Sequence, residues 1–167
     1  MDSCLVNLKN IDVKYVLDIV RFDAVEFSGQ ATGQVNLKSV LKDFSMNTHL
    51  NVHNFAVNSG LMGEADITGA WDHELGGIRL EAEIEEENLS ATHVTGYVSP
   101  KLKGLDLMIE ADSTNIGLLT PYLEGIFSEL DGRVTGDVRL YGPFKALDFE
   151  GKVSAAIDAR VDVLNTY

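Results

Sequence analysis

An alternation of apolar and polar residues, with a period of two, runs through most of this chain. In residues 25–37 the odd positions read Val25, Phe27, Gly29, Ala31, Gly33, Val35 and Leu37, and the even ones Glu26, Ser28, Gln30, Thr32, Gln34 and Asn36. A helix would mix the two sets on every face, whereas a strand puts them on opposite sides of a sheet. Similar segments follow at about 45–57, 62–71, 77–86, 90–98, 104–112, 130–141 and 147–163, and the opening residues alternate as well. Turn formers separate them: Asn58-Ser59-Gly60, Asp72-His73-Glu74, Glu86-Glu87-Asn88 and Ser99-Pro100-Lys101. Short links join spatial neighbours, so the pattern predicts a mainly β fold, an antiparallel meander of about nine strands.

Two segments depart from alternation. Val13, Val16, Leu17 and Val20 follow Asp12 at helical spacing, and Ile116, Leu119, Leu123, Ile126 and Phe127 follow Asn115. Each predicts a short capped helix. Each also precedes the same phrase, Gly-x-x-Thr-Gly-x-Val-x-Leu, at Gly29–Leu37 and again at Gly132–Leu140, a constant offset of 103 residues. The expected repeat units are about 12–57 and 115–163, with hairpins at 62–112 between them. A shorter echo relates residues 68–80 to 95–107 at an offset of 27, about one hairpin with its turn. The pattern persists to the last residues, and the whole reads as one segment, 1–167, of a longer repeat protein.

The charge balance narrows the function. With 13 basic against 26 acidic residues and a net charge of −13, the chain lacks the basic clusters that hold phosphate backbones, so nucleic acid is not an expected partner. The single cysteine, Cys4, supplies neither an internal disulfide nor a thiolate metal site. No stretch reaches the ~20 apolar residues of a membrane span, and no leader pattern opens the chain.

Candidate chemistry is sparse. His49 and His53 share a strand face with Asn47 and Asn51, but residues i and i+4 on a strand lie about 13 Å apart, too far for one metal ion. His73 falls in an expected turn and His93 among threonines. Glu81, Glu83, Glu85, Glu86 and Glu87 read as a solvated face or a protected edge. Glu64 and Asp66 lie side by side rather than across a cleft, as paired carboxylates of a glycosidase would. Trp71 and Tyr97 read as core or groove wall. Gly29, Gly33, Gly132 and Gly136 fall in the apolar series, which suggests packing beneath the adjacent helix or clearance for a ligand. No catalytic residue, metal site or cofactor is expected.

The stretch Leu130–Val153, preceded by Thr120–Phe127, resembles the C-terminal region of the TamB family of translocation and assembly subunits, related to AsmA-like proteins. Leu130, Gly132, Gly136, Gly142, Leu147 and Gly151 carry the resemblance, and residues 27–41 form a degenerate copy with Ser39 in the place of Gly142 and Val40 in that of Pro143. The resemblance implies a periplasmic envelope protein anchored in the inner membrane. Its long sheet would curl into an open trough whose apolar interior carries phospholipid toward the outer membrane. It implies a β-barrel-type outer-membrane assembly partner as well.

The residues themselves fit that picture. Two short helices cannot cover an apolar face of nine strands spanning roughly 43 Å, so curling or acyl chains must cover the rest. The residues expected to line the groove are Val25, Phe27, Ala31, Val35, Leu37, Val134, Val138, Leu140, Val153, Ala155 and Ile157. The alternative is an assembly segment that binds nascent outer-membrane strands by β-augmentation at an open edge. Open edges also predict edge-to-edge self-association.

Overall fold

The computed structural model describes residues 3–15, 26–39, 43–58, 60–86, 91–115 and 127–161. Among these, nine strands follow in order: β1 (Ser3–Asp12), β2 (Phe27–Lys38), β3 (Ser45–Val57), β4 (Gly60–Asp72), β5 (Gly77–Glu85), β6 (Thr92–Ser99), β7 (Gly104–Asn115), β8 (Phe127–Pro143) and β9 (Asp148–Val161). Each strand pairs antiparallel with the next, and the order in the sheet is the order in the chain. The fold is thus mainly β, an antiparallel meander in one open sheet, a form consistent with the expected trough. Among the described residues β1 and β9 do not pair with each other and are the outermost strands of the sheet.

Of the two expected helices, the first starts where the sequence places it. Residues 13–15 form a helical turn, and Asp12 Oδ1 accepts the Lys14 N–H at 2.9 Å as an N-cap does. Its continuation at 16–25, which includes the groove candidate Val25, lies outside the described residues, as does the second helix segment at 116–126.

Register converts the alternation into two faces. One row of directly opposed residues crosses all nine strands: Leu8, Gly33, Leu50, Ile67, Ala82, Val94, Ile109, Val138 and Gly151. The next row reads Val6, Val35, Thr48, Gly69, Leu80, Gly96, Leu107, Leu140 and Phe149. Neither contains a charge. A slip of one residue anywhere would move an entire strand's apolar set to the other side, so the pattern fixes the register.

The packed core occupies one end of this face. Ala31, Val52, Phe55, Met62, Ala65 and Ile84 are buried together, with Val13, Phe27, Val57, Ile67 and Val94 against them. Phe27 stacks on Phe55, ring centroids 6.0 Å apart. This is the end where the β1–β2 connection leaves the sheet. Contacts that skip strands occur there too: Asn115 Nδ2 at the end of β7 donates to the Leu61 carbonyl of β4 at 3.4 Å, and Arg133 of β8 reaches Glu86 beyond β5.

The offset of 103 recurs in the backbone itself. β1 is bulged between Leu8 and Ile11 and β7 between Ala111 and Thr114. Within the two bulges Asn10 and Ser113 take positive φ, 51° and 53°. The Asn10 N–H donates to Thr32 Oγ1 at 3.1 Å, and the Ser113 N–H to Thr135 Oγ1 at 3.0 Å. A threonine hydroxyl thus satisfies the amide that each bulge removes from the ladder. Ser39 and Gly142, also 103 residues apart, both take positive φ. The matching features begin in β1 and β7, upstream of the helix starts from which the units were drawn.

The echo of 27 residues is a turn design. Asp72 Oδ1 accepts the N–H groups of Glu74 and Leu75 at 2.9 and 3.0 Å, and 27 residues on Ser99 Oγ accepts that of Leu102 at 3.0 Å. Gly76 and Lys103 then turn the chain at positive φ. Successive turns are tied together: Lys101 N–H donates to the Gly76 carbonyl, and Phe144 N–H to that of Lys103 at 2.8 Å. Ser99, fully buried, also donates to the Leu75 carbonyl at 2.6 Å. Ser99→Ala leaves the Leu102 amide and the Leu75 carbonyl short of a partner at a cost of about 1–3 kcal/mol. A fall of about 3–8 °C in the melting temperature is expected by calorimetry, and an unchanged midpoint would show that the turns do not depend on this hydroxyl.

Candidate functional site

The candidate site is the apolar face, and its zones differ. Phe27 and Ala31 lie in the closed end. Ala31 is 1% exposed and already packed in the core cluster, so it cannot meet a ligand and its expected place in the groove is corrected: it supports the sheet. Val35, Leu37, Val134, Val138 and Leu140 are half-buried on the apolar side. Val35 and Leu140 share one of the two rows, and Val138 lies in the other. Val153 and Ala155 are exposed on the edge strand β9, Val153 at 50%. The backbone of Ile157 pairs with Gly132 in the same strand.

The middle strands extend this face beyond the repeated ones. Leu50, Ile67, Val94 and Ile109 continue the Gly33–Val138 row and are half-buried like it. Their alternation carried the same signal as that of β2. At the end opposite the core, Phe44 meets Trp71 edge to face, centroids 5.0 Å apart.

Gly33 and Gly136 allow a close approach within the sheet itself. Gly136 sits at φ 144°. There a Cβ would not stand out from the face but would point along the sheet into the next strand, striking the Lys152 carbonyl oxygen and approaching Val153 Cα to 2.8 Å. Gly33, its repeat partner, meets the His49 carbonyl and Leu50 Cα in the same way. The atoms in contact are neighbouring backbone, so at these two positions the close approach is of strand to strand.

The opposite face is polar and largely paired. His49 Nε2 lies 2.9 Å from Asp66 Oδ2, Asn51 Nδ2 donates to the same oxygen at 2.7 Å, and His53 pairs with Glu64. His93 stands opposite Glu83 on one side and Glu110 on the other. Tyr97 belongs to this face as well, opposite Arg79 and Asp106. Its assignment to core or groove wall is therefore corrected, because it falls one position out of step with Trp71 in the hairpin echo. Among the described residues no group of three or more His, Cys, Asp or Glu is placed to hold a metal ion, and no helix is long and apolar enough to cross a membrane.

Two arginines organise the charges. Arg139 holds Asp106 with two hydrogen bonds, at 2.9 and 2.7 Å, reaches Glu150 at 3.1 Å, and lies over the Tyr141 ring at 4.6 Å. Arg133 holds Glu86 in a similar fork, at 2.7 and 2.9 Å, and donates to the Ser113 carbonyl. Glu86 is thus more than a residue of a solvated acidic run. The hydrogen bonds from Arg139 and Arg133, outweighing partial desolvation and aided by charge attraction, lower the pKa of Asp106 and Glu86 below their ordinary 3.8 and 4.5. A carboxylate whose folded pKa is lowered stabilises the fold above its unfolded pKa and loses that contribution as pH falls through the folded value. The melting temperature should therefore hold steady above about pH 5 and fall below about pH 4. Arg139→Gln should make that acid fall shallower, and an unchanged acid limb would show the pair to be energetically silent.

A scan against protein-family models finds no match to this chain, and searches of curated proteins and of solved structures find none either.

Proposed function

We propose that this chain is a segment of a cell-envelope protein whose apolar sheet face carries phospholipid acyl chains across the periplasm between the inner and outer membranes. The observation that supports this is the combination of two uncharged rows crossing all nine strands with a core that, among the described residues, is confined to one end. A face of that extent, left half-exposed, gains by covering itself with hydrocarbon, at about 25 cal/mol per Å² of apolar surface removed from water. The polar face, with its paired charges, meets solvent. No bond is made or broken, and no residue is assigned a catalytic role.

The test has two parts. Organic extraction of the purified chain, followed by mass spectrometry, should recover phospholipid in near-stoichiometric amount. The chain should also speed transfer of a fluorescent phosphatidylethanolamine from donor to acceptor vesicles of phosphatidylethanolamine and phosphatidylglycerol. A chain that carries no lipid and leaves transfer at its spontaneous rate would end this reading.

A further inference from the structure

We infer that the β6–β7 and β8–β9 turns form a membrane-contact rim, which seats on the surface of a bilayer containing anionic phospholipid. Nothing in this depends on the apolar face carrying lipid. Each turn is closed at its tip: the Lys103 N–H donates to the Pro100 carbonyl at 3.2 Å, and the Ala146 N–H to the Pro143 carbonyl at 2.8 Å. The residues between are Lys101 and Leu102 in one turn, Phe144 and Lys145 in the other. Each tip thus carries one apolar residue and one lysine, with Lys103 beside the first. The three lysines are exposed, and so is Leu102, at 55%. Hydrogen bonds fix both tips: Ser99 Oγ accepts the Leu102 N–H, and the Lys103 carbonyl accepts that of Phe144. The β4–β5 turn lies on the other side, tied through Lys101 and Gly76, so the exposed leucine stands within a row of turns.

The hairpin echo shows that the turn itself does not need these residues. Where the β6–β7 turn has Lys101, Leu102 and Lys103, the β4–β5 turn, 27 residues earlier, has Glu74, Leu75 and Gly76, and Leu75 is half-buried there. Lys103 takes φ 51°, a conformation that Gly76 adopts at 56° without steric cost and a lysine does not. Stability alone does not favour that lysine, and such an outlier points to use. Its charge is also open. The chain carries a net −13, yet among the described residues none of the three lysines pairs with a carboxylate. Lys101 Nζ donates to the Glu74 carbonyl at 3.4 Å, and nearby Asp72 and Asp106 are held by Arg79 and Arg139. Glu83 and Glu110 of the polar face lie about 20 Å along their strands from the turns, beyond the ~8 Å over which charges act at physiological ionic strength. A bilayer surface answers both parts of the rim, with phosphates for the lysines and hydrocarbon about 5–10 Å below for the leucine. The acidic face of a second copy would answer the lysines but set Leu102 against charge.

In flotation assays the 167-residue chain should bind vesicles of equimolar phosphatidylcholine and phosphatidylglycerol, lose them at high salt, and leave phosphatidylcholine alone unbound. Lys101→Gln, Lys145→Gln and Lys103→Asn, the last chosen because asparagine tolerates positive φ, should each weaken binding about fivefold. Leu102→Ser should weaken it about tenfold. Lys152→Gln, a lysine opposite Asp137 on the polar face, should leave it unchanged. In a Cys4→Ser background, a polarity-sensitive dye on Leu102→Cys should shift to the blue when the anionic vesicles are added. The same dye on Thr95→Cys, exposed in the middle of β6, should not. Salt and dye read the contact even if a lysine variant folds poorly. Vesicle binding without lipid transfer would end the conduit reading and leave this one standing. Equal binding to phosphatidylcholine alone, turn variants that bind as the wild type does, or a blue shift at 95 and not at 102 would each overturn the proposal. So would self-association at low salt that the same lysine variants abolish, without capture by vesicles.

Discussion

Gly136→Ala should lower the melting temperature by about 6–12 °C. The added Cβ points along the sheet into β9, toward the Lys152 carbonyl oxygen and Val153 Cα, and φ at 144° is itself costly for a residue with a side chain. Backbone cannot yield as the tip of a side chain can, so strain and collision together amount to about 3 kcal/mol or more. Against a typical total of about 5–15 kcal/mol that is a large fraction. Gly33→Ala should behave alike, because β3 approaches β2 as β9 approaches β8. Gly76→Ala should be milder: its φ of 56° is left-handed too, but its Cβ would meet the Lys101 side chain rather than the backbone of a neighbouring strand, which leaves about 1 kcal/mol of backbone strain as the main cost. Calorimetric midpoints for the three variants decide the matter. If Gly136→Ala melts within a degree of the wild type, the strands are not held as closely as described.

Much of this architecture could be read from the residues, because a strand's two-sidedness is a local property. The alternation of Val35, Leu37 and their neighbours named the apolar face, and Asp72 and Ser99 named the turns. Features that depend on distant partners were not legible. Arg133 finds Glu86 across 47 residues of chain, and neither flanking sequence hints at the pairing. The bulges at Asn10, Asn54 and Ser113 have no glycine to mark them, although each residue takes positive φ. Asparagine and serine tolerate that conformation through local hydrogen bonds, so it leaves no punctuation in the sequence. Gly33 and Gly136 were seen, but composition cannot tell clearance for a ligand from clearance for a neighbouring strand; only the backbone direction does. Tyr97 was misplaced because residue type outweighed parity: a position after Gly96 in an alternating strand faces away from Val94 and Val98, whatever its side chain.

Val138→Glu should leave the fold largely intact and abolish lipid transfer. Val138 lies midway along β8, half-buried in the uncharged row, between Ile109 of β7 and Gly151 of β9. Gly151 offers no side chain to cover it, so a glutamate there can extend over β9 and reach water beyond the edge. The direct loss is then that of a β-branched residue from a strand, about 1 kcal/mol or less, and the domain should still melt cooperatively. The same substitution at Val52, 2% exposed in the core cluster, buries an unpaired carboxylate at a cost of several kcal/mol and should unfold the chain. For an acyl chain lying along the rows, each methylene kept from contact forfeits about 0.8 kcal/mol, and a charge midway across excludes several, enough to reduce capture by two orders of magnitude or more. The polar-face comparison must avoid Arg139, whose hydrogen bonds to Asp106 and Glu150 make any change there a structural one. Gln34→Glu is suitable, exposed between Asn7 and His49. Circular dichroism melts and phospholipid transfer, measured on all four chains, separate the outcomes. A folded Val138→Glu chain without transfer, beside an active Gln34→Glu chain, is the result a conduit requires. Unfolding of Val138→Glu would mark the whole face as ordinary core, and transfer at the wild-type rate in a folded Val138→Glu chain would remove acyl chains from this face altogether.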